Sequence, residues 1–279
     1  MPVILWSDAL VFLLLATGIS GAWYVRRREY LLLPWRRVAQ SATAMVSLLV
    51  LSLFFAVGLL DTLHYRAALP EKNGSATVYS PEVLSVFDKL VTPLRTQTEK
   101  TYSAPLAVTL HARESISDAQ GRVLRDYPRL RYGGAHLDDA AQRYGDVVKR
   151  ALLGALGGLL VGLLIALGAR RWLVQRRLPL RPLLIAFLTI AALLGATASL
   201  ASAYHVLGTD KVGQDVLYLS LKSIRTGLII GTVTTLVTLP LALLLGIAAG
   251  YFRGWVDDVI QYVYTVLSSI PSVLLIAAA

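Results

Sequence analysis

Apolar residues run along this chain in six blocks separated by polar or basic stretches. A membrane-spanning helix needs ~20 consecutive, mostly apolar residues. Blocks of this kind occupy residues 3–25, 42–60, 151–169, 182–203, 226–252 and 259–279. Asp8 interrupts the first near its outer end, whereas the fifth holds no charged residue. Between the second and third lies a long polar interval, residues 61–150. The pattern predicts an all-α polytopic membrane protein of about six transmembrane helices, carrying a mixed α/β or irregular water-exposed insertion. Within the insertion, Ser80-Pro81-Glu82 ahead of Val83, Leu84, Val86, Phe87 and Leu90 predicts a capped amphipathic helix. Leu106-Ala107-Val108-Thr109-Leu110 reads as a strand, and Tyr127-Pro128 and Gly133-Gly134 read as turns.

Composition agrees: 56% of the 279 residues are hydrophobic and 16% charged, with a mean hydropathy of +0.61. Soluble domains carry roughly 25% charged residues. The formal net charge is +10, but residues 61–150 are nearly balanced. The excess gathers in two short connections, Arg26, Arg27, Arg28, Arg36 and Arg37 in one and Arg170, Arg171, Arg176, Arg177 and Arg181 in the other. Basic residues in short loops between apolar spans mark the cytoplasmic face. Alternation then sets the N-terminus, residues 61–150 and residues 204–225 on the periplasmic side, and both arginine clusters fall together. A nucleic-acid partner is not expected, because such binding needs a continuous basic face on a folded domain.

Other candidate chemistry is sparse. There is no cysteine, hence no disulfide and no thiolate metal site. His64, His111 and His136 have no ligand spacing and read as surface residues. No catalytic, cofactor-binding or metal-binding residues are expected. The N-terminus lacks the basic n-region of a cleaved signal peptide. Asn73-Gly74-Ser75 matches a glycosylation acceptor, a three-residue pattern that carries no weight here. Gly154, Gly158 and Gly162 recur every four residues, as do the pairs Gly227/Gly231 and Gly246/Gly250, a spacing that suits close helix packing. Thr232, Thr235 and Thr238 in the fifth block either bond back to their own helix or line a polar pathway.

Residues 204–225 carry the most pattern. Thr209 or Asp210 is placed to cap a helix, and Lys211, Asp215, Tyr218, Lys222 and Arg225 follow at three- and four-residue steps. The expectation is a helix over 211–224 in the interface plane, with Lys211 and Lys222 in water and Val216 and Leu217 buried.

The residue types in this stretch resemble a family. His205-x-x-Gly208-Thr209-Asp210-x-x-Gly213-x-Asp215 is similar to the segment after the first core span in dipeptide and oligopeptide (peptide/nickel) ABC importer permeases. The likeness continues through Arg225, a long apolar helix, Gly250-Tyr251-x-x-Gly254-x-x-Asp257, and Pro271 before Ser-Val-Leu-Leu. It covers about residues 182–279. Two departures stand out: Gln214 where the family usually has Arg, and Arg253 where it often has Gly.

The resemblance implies the start of an ABC type-1 transmembrane domain in the inner membrane. It implies a sister permease subunit, cytoplasmic ATP-binding subunits and a periplasmic solute-binding protein as partners, with the lipid bilayer around them. No Walker A motif is present, so the chain is not expected to be an enzyme. The expected organisation is a transmembrane hairpin at 1–60, a periplasmic insertion at 61–150, a third span with a basic cytoplasmic connection at 151–181, and a permease core starting at 182. The family's ATPase-coupling loop would lie beyond residue 279, which suggests an N-terminal part. A receptor with a periplasmic domain would account for the second and third spans but not for the glycine-aspartate segment. A membrane enzyme would have Asp8 and Asp257/Asp258 as its acidic candidates at span boundaries.

Overall fold

A computed structural model describes residues 1–68, 79–117, 123–175, 178–271, 274 and 276–277. Asn73, Gly74, Ser75, Arg176 and Arg177 lie outside the described residues. The chain divides into two compact units, Met1–Leu228 and Ile229–Ala279.

In the first unit a short strand β1 (Pro2–Val3) leads into helix α1 (Trp6–Arg26). Helix α2 (Glu29–Gln40) follows where a plain connection was expected, and α3 (Ala42–Thr62) returns. Strands β2 (His64–Ala68) and β3 (Tyr79–Ser85) come next, then two single-turn helices, α4 (Val86–Leu90) and α5 (Thr92–Thr96). A hairpin of β4 (Glu114–Ser117) and β5 (Val123–Asp126) precedes the long helix α6 (Arg143–Gln175) and its antiparallel neighbour α7 (Leu180–Ala201). Helix α8 (Val216–Phe252) begins in the first unit and runs into the second, where α9 (Trp255–Ser269) follows.

Helices α1, α3, α6, α7 and α8 are long and apolar enough to cross a membrane, five among the described residues. Most of their leucines are exposed, as a lipid-facing surface requires. The sixth expected span is not found as one long helix. α9 stops at Ser269, because the residue before a proline is driven out of helical geometry, and Ile270 ahead of Pro271 is extended.

The α6/α7 pair shows what the first glycine series does. A Cβ on Gly154 would overlap the Gly195 carbonyl oxygen, one on Gly158 would overlap that of Ala191, and one on Gly162 would sit 2.8 Å from the Ala191 methyl. Gly227, Gly231, Gly246 and Gly250 differ: a Cβ at each meets nothing within 4 Å. The same spacing thus marks a packed face on α6 and an open one on α8.

The insertion is assembled from three stretches of chain. β1 pairs antiparallel with β2, and β2 with β3, with Val3 opposite His64 and His64 opposite Ser85. Its small apolar core joins Ala107, Leu110 and Leu130, and a second cluster joins Val108 and Leu137 to Tyr204, which follows α7. The N-terminus, the described residues of 63–142 and residues 203–215 therefore pack together in this unit.

Two local expectations are corrected. Residues 79–85 are strand, and the helix starts only at Val86. Ser85 caps it: its hydroxyl accepts the Asp88 amide at 2.9 Å while the Asp88 carboxylate accepts the Ser85 amide at 3.0 Å. That reciprocal cap lies five residues downstream of Ser80. Residues 106–110 are not a strand but a turn with isolated bridges, Ser103 to Leu110 and Thr109 to Arg129. Their apolarity reflects burial of Ala107, Val108 and Leu110 beneath loops.

Candidate functional site

The helix expected in the interface plane at 211–224 is absent. Residues 205–215 form a tight loop and α8 begins at Val216, continuous with the following span. Neither Thr209 nor Asp210 caps it. Asp215 does, its Oδ1 accepting the amides of Leu217 at 2.8 Å and Tyr218 at 3.2 Å. Asp210 instead closes the loop, accepting the Val212 and Gln214 amides at 2.9 and 2.8 Å. Lys211 and Gln214 are exposed.

The loop docks on the insertion. Gly208 and Gly213 both take φ +78, and a Cβ on either would overlap backbone of Ser103 or Glu99 respectively. The Glu99 amide donates to the Gly213 carbonyl at 2.8 Å. Thr209 Oγ1 donates to the Thr101 carbonyl at 2.8 Å and lies 3.0 Å from Ser103 Oγ. His205 sits beneath, 2% exposed. Its Nδ1 is 2.7 Å from Asp215 Oδ2 and its Nε2 3.4 Å from Glu99 Oε1. Glu99 also accepts the amides of Arg131, Tyr132 and Gly133 at 2.8, 2.8 and 3.3 Å. With a carboxylate facing each ring nitrogen, the imidazolium is the favoured form.

The first turns of α8 carry the same theme toward the bilayer. Tyr218 donates its hydroxyl to Asp88 at 2.8 Å, and Lys222 reaches both Asp88 oxygens at 2.7 and 2.9 Å. Lys222 also lies 3.9 Å from Asp61, which accepts the Ser85 hydroxyl at 2.8 Å. Next along the helix, Arg225 binds Asp8 and donates to Ser7 Oγ at 2.6 Å. Asp8 is fully buried and also faces His64 Nδ1 at 3.0 Å and the Leu5 amide at 2.9 Å. Tyr218, Lys222 and Arg225 thus form one seam on α8, each meeting an acidic group from the insertion or the α1 entry, while Asp215 caps the helix and pairs with His205. The periodicity marked a polar face, which acidic side chains partly cover: Lys211 is exposed, whereas Lys222 is 38% exposed and Arg225 15%. His64 is likewise no surface residue, its side chain being 8% exposed. Sequence spacing carried no signal for Asp61, Asp88 and Glu99, because the His205, Tyr218 and Lys222 side chains they face lie more than a hundred residues away.

Electrostatics outside the membrane segments follow from this packing. Burial raises the Asp88 carboxyl, but the hydrogen bonds from Lys222, the Ser85 amide and Tyr218 outweigh it and hold the group below its usual 3.8. Burial together with Asp146 pushes the Tyr204 phenol up to about 12. Burial lowers the His205 imidazole, yet Asp215 and then Glu99 outweigh burial and raise it above 6.5. A group raised on folding adds stability that is complete below the unfolded value and drains away as pH climbs through the folded one. The docked loop should therefore weaken on alkalinisation above about pH 6.5. Melting of the detergent-solubilised chain should fall between pH 6 and pH 9, and His205→Gln should flatten that slope. An unchanged slope in the variant would assign the effect to other groups.

The remaining sequence candidates lie in the second unit. The Thr235 and Thr238 hydroxyls bond back to the carbonyls of Gly231 and Thr234 at 2.7 and 2.8 Å, the local alternative to a pathway role. Thr232 is on the same helix, half-buried. Gly250 is exposed near the end of α8. Gly254 precedes α9 with φ +57, and Asp257 lies in the first turn of α9, where a carboxylate suits the helix dipole. Arg253 takes φ +51, a left-handed conformation that glycine adopts freely. Pro271 is exposed after the end of α9.

No family model matches the chain, and no solved structure matches it. Curated relatives do. The chain is 36% identical over 73 residues to the oligopeptide transport system permease protein OppC of Mycobacterium tuberculosis, covering 26% of this chain and 25% of that protein. It is 36% identical over 77 residues to the glutathione transport system permease protein GsiD of Pectobacterium atrosepticum, covering 28% and 26% respectively. It is 32% identical over 77 residues to the dipeptide transport system permease protein DppC of Alkalihalophilus pseudofirmus, covering 28% and 25%. The matched stretch spans about a quarter of the length of these relatives. With five apolar helices of spanning length, the chain is a multi-pass membrane protein.

Proposed function

We propose that this protein is a transmembrane permease subunit of a bacterial ABC importer, forming part of the inner-membrane pathway for peptides or a similar small solute. The observation that carries the reading is the 36% identity over 73 residues to an oligopeptide permease, together with the loop His205–Asp215 leading directly into the apolar helix α8. Separate ATP-binding subunits supply the energy, a sister permease completes the pore, and a solute-binding protein delivers cargo. The two arginine connections are cytoplasmic and the insertion periplasmic. This orientation is supported by the packing together of the N-terminus, the described residues of 63–142 and residues 203–215. Thr232, Thr235 and Thr238 remain the candidates for lining the pathway.

The seam on α8 gives the insertion a role in this reading. A binding protein seated on the periplasmic face presses on a domain held to α8 by Lys222 through Asp88 and, by way of His205, through Glu99 and Asp215, so the load passes into the helix. Proteoliposomes holding the protein with its ATPase and sister permease should accumulate labelled di- and oligopeptides when given ATP and binding protein. The chain by itself should neither transport nor hydrolyse ATP. Uptake without ATP, or ATPase activity surviving removal of every partner, would overturn the assignment.

A further inference from the structure

Helix α2 joins the ends of α1 and α3, yet it is not built like a connection. Leu31, Pro34, Trp35 and Val38 fall at steps of three and four on one side, while Glu29, Arg36 and Gln40 share the other. Leu31, Leu32 and Ala39 are half-buried among the neighbouring residues, whereas Trp35 is 61% and Val38 48% exposed. Among the described residues, Pro34, Trp35 and Val38 therefore form an exposed apolar strip on this helix.

The charge beside that strip has one sign. Arg26 ends α1, Arg27 and Arg28 join it to α2, and Arg36 and Arg37 lie on α2. The arginine ion pairs among the described residues are those of Arg95, Arg150 and Arg225, and none involves these five. Arg27 stacks 3.6 Å above the Trp23 ring and Arg28 lies 5.9 Å from that of Tyr24. Such stacking leaves the edge N–H groups of a guanidinium directed outward, and a planar fork of donors matches phosphate oxygens. An amphipathic helix with tryptophan on its bare face and arginine at its flanks suits the headgroup boundary of a bilayer.

We propose that α2 lies in the membrane surface as an anchor that gathers anionic phospholipid headgroups around Arg26, Arg27, Arg28, Arg36 and Arg37, with Trp35 and Val38 inserted among the acyl chains. The inference depends only on the chain being a membrane protein, not on what it transports. Each basic residue near an anionic membrane surface adds about fivefold to binding, and the attraction weakens with ionic strength.

The test uses the whole chain with Trp6, Trp23, Trp172 and Trp255 replaced by Phe, so that Trp35 alone reports. It is reconstituted in phosphatidylcholine containing either brominated phosphatidylglycerol or brominated phosphatidylcholine. Trp35 emission should be quenched by both, with the anionic lipid favoured by about tenfold or more at low salt. Raising the salt to about 1 M should remove most of that preference with the arginines intact. Arg36→Gln with Arg37→Gln should reduce the preference severalfold, and Arg36→Lys with Arg37→Lys should retain most of it. Equal quenching by the two lipids, or a preference insensitive to salt, would overturn the headgroup site. Absence of quenching by either lipid would show that another protein surface covers α2, and would overturn the proposal entirely.

Discussion

Replacing Asp8 with alanine should lower the stability of the chain by about 3–5 kcal/mol. Asp8 is fully buried at the first turn of α1, and its carboxylate is the partner of Arg225, His64 and the Leu5 amide. Arg225 is itself 15% exposed, and its Nε already lacks a partner among the described residues. Removing the acid leaves a cation at the edge of a spanning helix with no countercharge, which is the expensive way to break such a pair. Arg225→Met should cost less, because His64 and the Leu5 amide still face Asp8. The double variant should recover much of the loss, because an apolar pair of similar volume removes both desolvation penalties together. In thermal melting of the solubilised chain, Asp8→Ala should lower the midpoint by roughly 10 °C and Arg225→Met by less, and the cycle should show a coupling above ~2 kcal/mol. Additive losses would mean that the pair is incidental to the seam.

The same pair explains what the sequence did and did not disclose. Spans were legible because lipid solvation imposes one requirement on every residue of a long helix, and α1, α3, α6, α7 and α8 meet it locally. The sixth apolar block does not form one long helix among the described residues, because Ile270 ahead of Pro271 leaves helical geometry. The polar stripe Asp215, Tyr218, Lys222, Arg225 was legible as a face. What covers a face is a tertiary fact, though, and Glu99, Asp88 and Asp8 lie 106 to 217 residues away from the His205, Lys222 and Arg225 they meet. Asp8 had been visible as an acid inside an apolar block, and intramembrane carboxylates invite a functional reading. Arg225 is the missing half. The insertion's fold was least legible. Its sheet takes one strand from the N-terminus and its core takes Tyr204 from beyond α7, so no single window of sequence contains it. α2 escaped because its arginines read as loop charge, although its apolar positions keep helical spacing.

Glycine 213 offers the sharpest test of the docked loop, and Gly213→Ala should undock it. Two effects act together there. The residue holds φ +78, a conformation that costs a side-chain-bearing residue roughly 1–2 kcal/mol. In addition a Cβ would overlap the Glu99 carbonyl, which is backbone and has no rotamer to yield. Relief requires the Glu99 and Gly213 strands of chain to part, breaking the 2.8 Å hydrogen bond between the Glu99 amide and the Gly213 carbonyl. Glu99 would then draw away from His205 and from the amides of Arg131 and Tyr132 that it holds at 2.8 Å. The combined loss should be about 3 kcal/mol or more, equivalent to roughly two decades in the local opening equilibrium. Hydrogen exchange followed by mass spectrometry should show it directly, with peptides spanning 129–134 exchanging ~100-fold faster in the variant. Gly227→Ala is the control: it lies on α8, meets nothing within 4 Å, and should leave exchange in that segment unchanged. Under the proposed importer function, the undocked variant should still insert and assemble but show reduced uptake stimulated by the binding protein, since the insertion would then bear on α8 only through Asp88. Exchange at 129–134 as slow as in the unaltered chain would show that the loop and the insertion are not held together through Gly213.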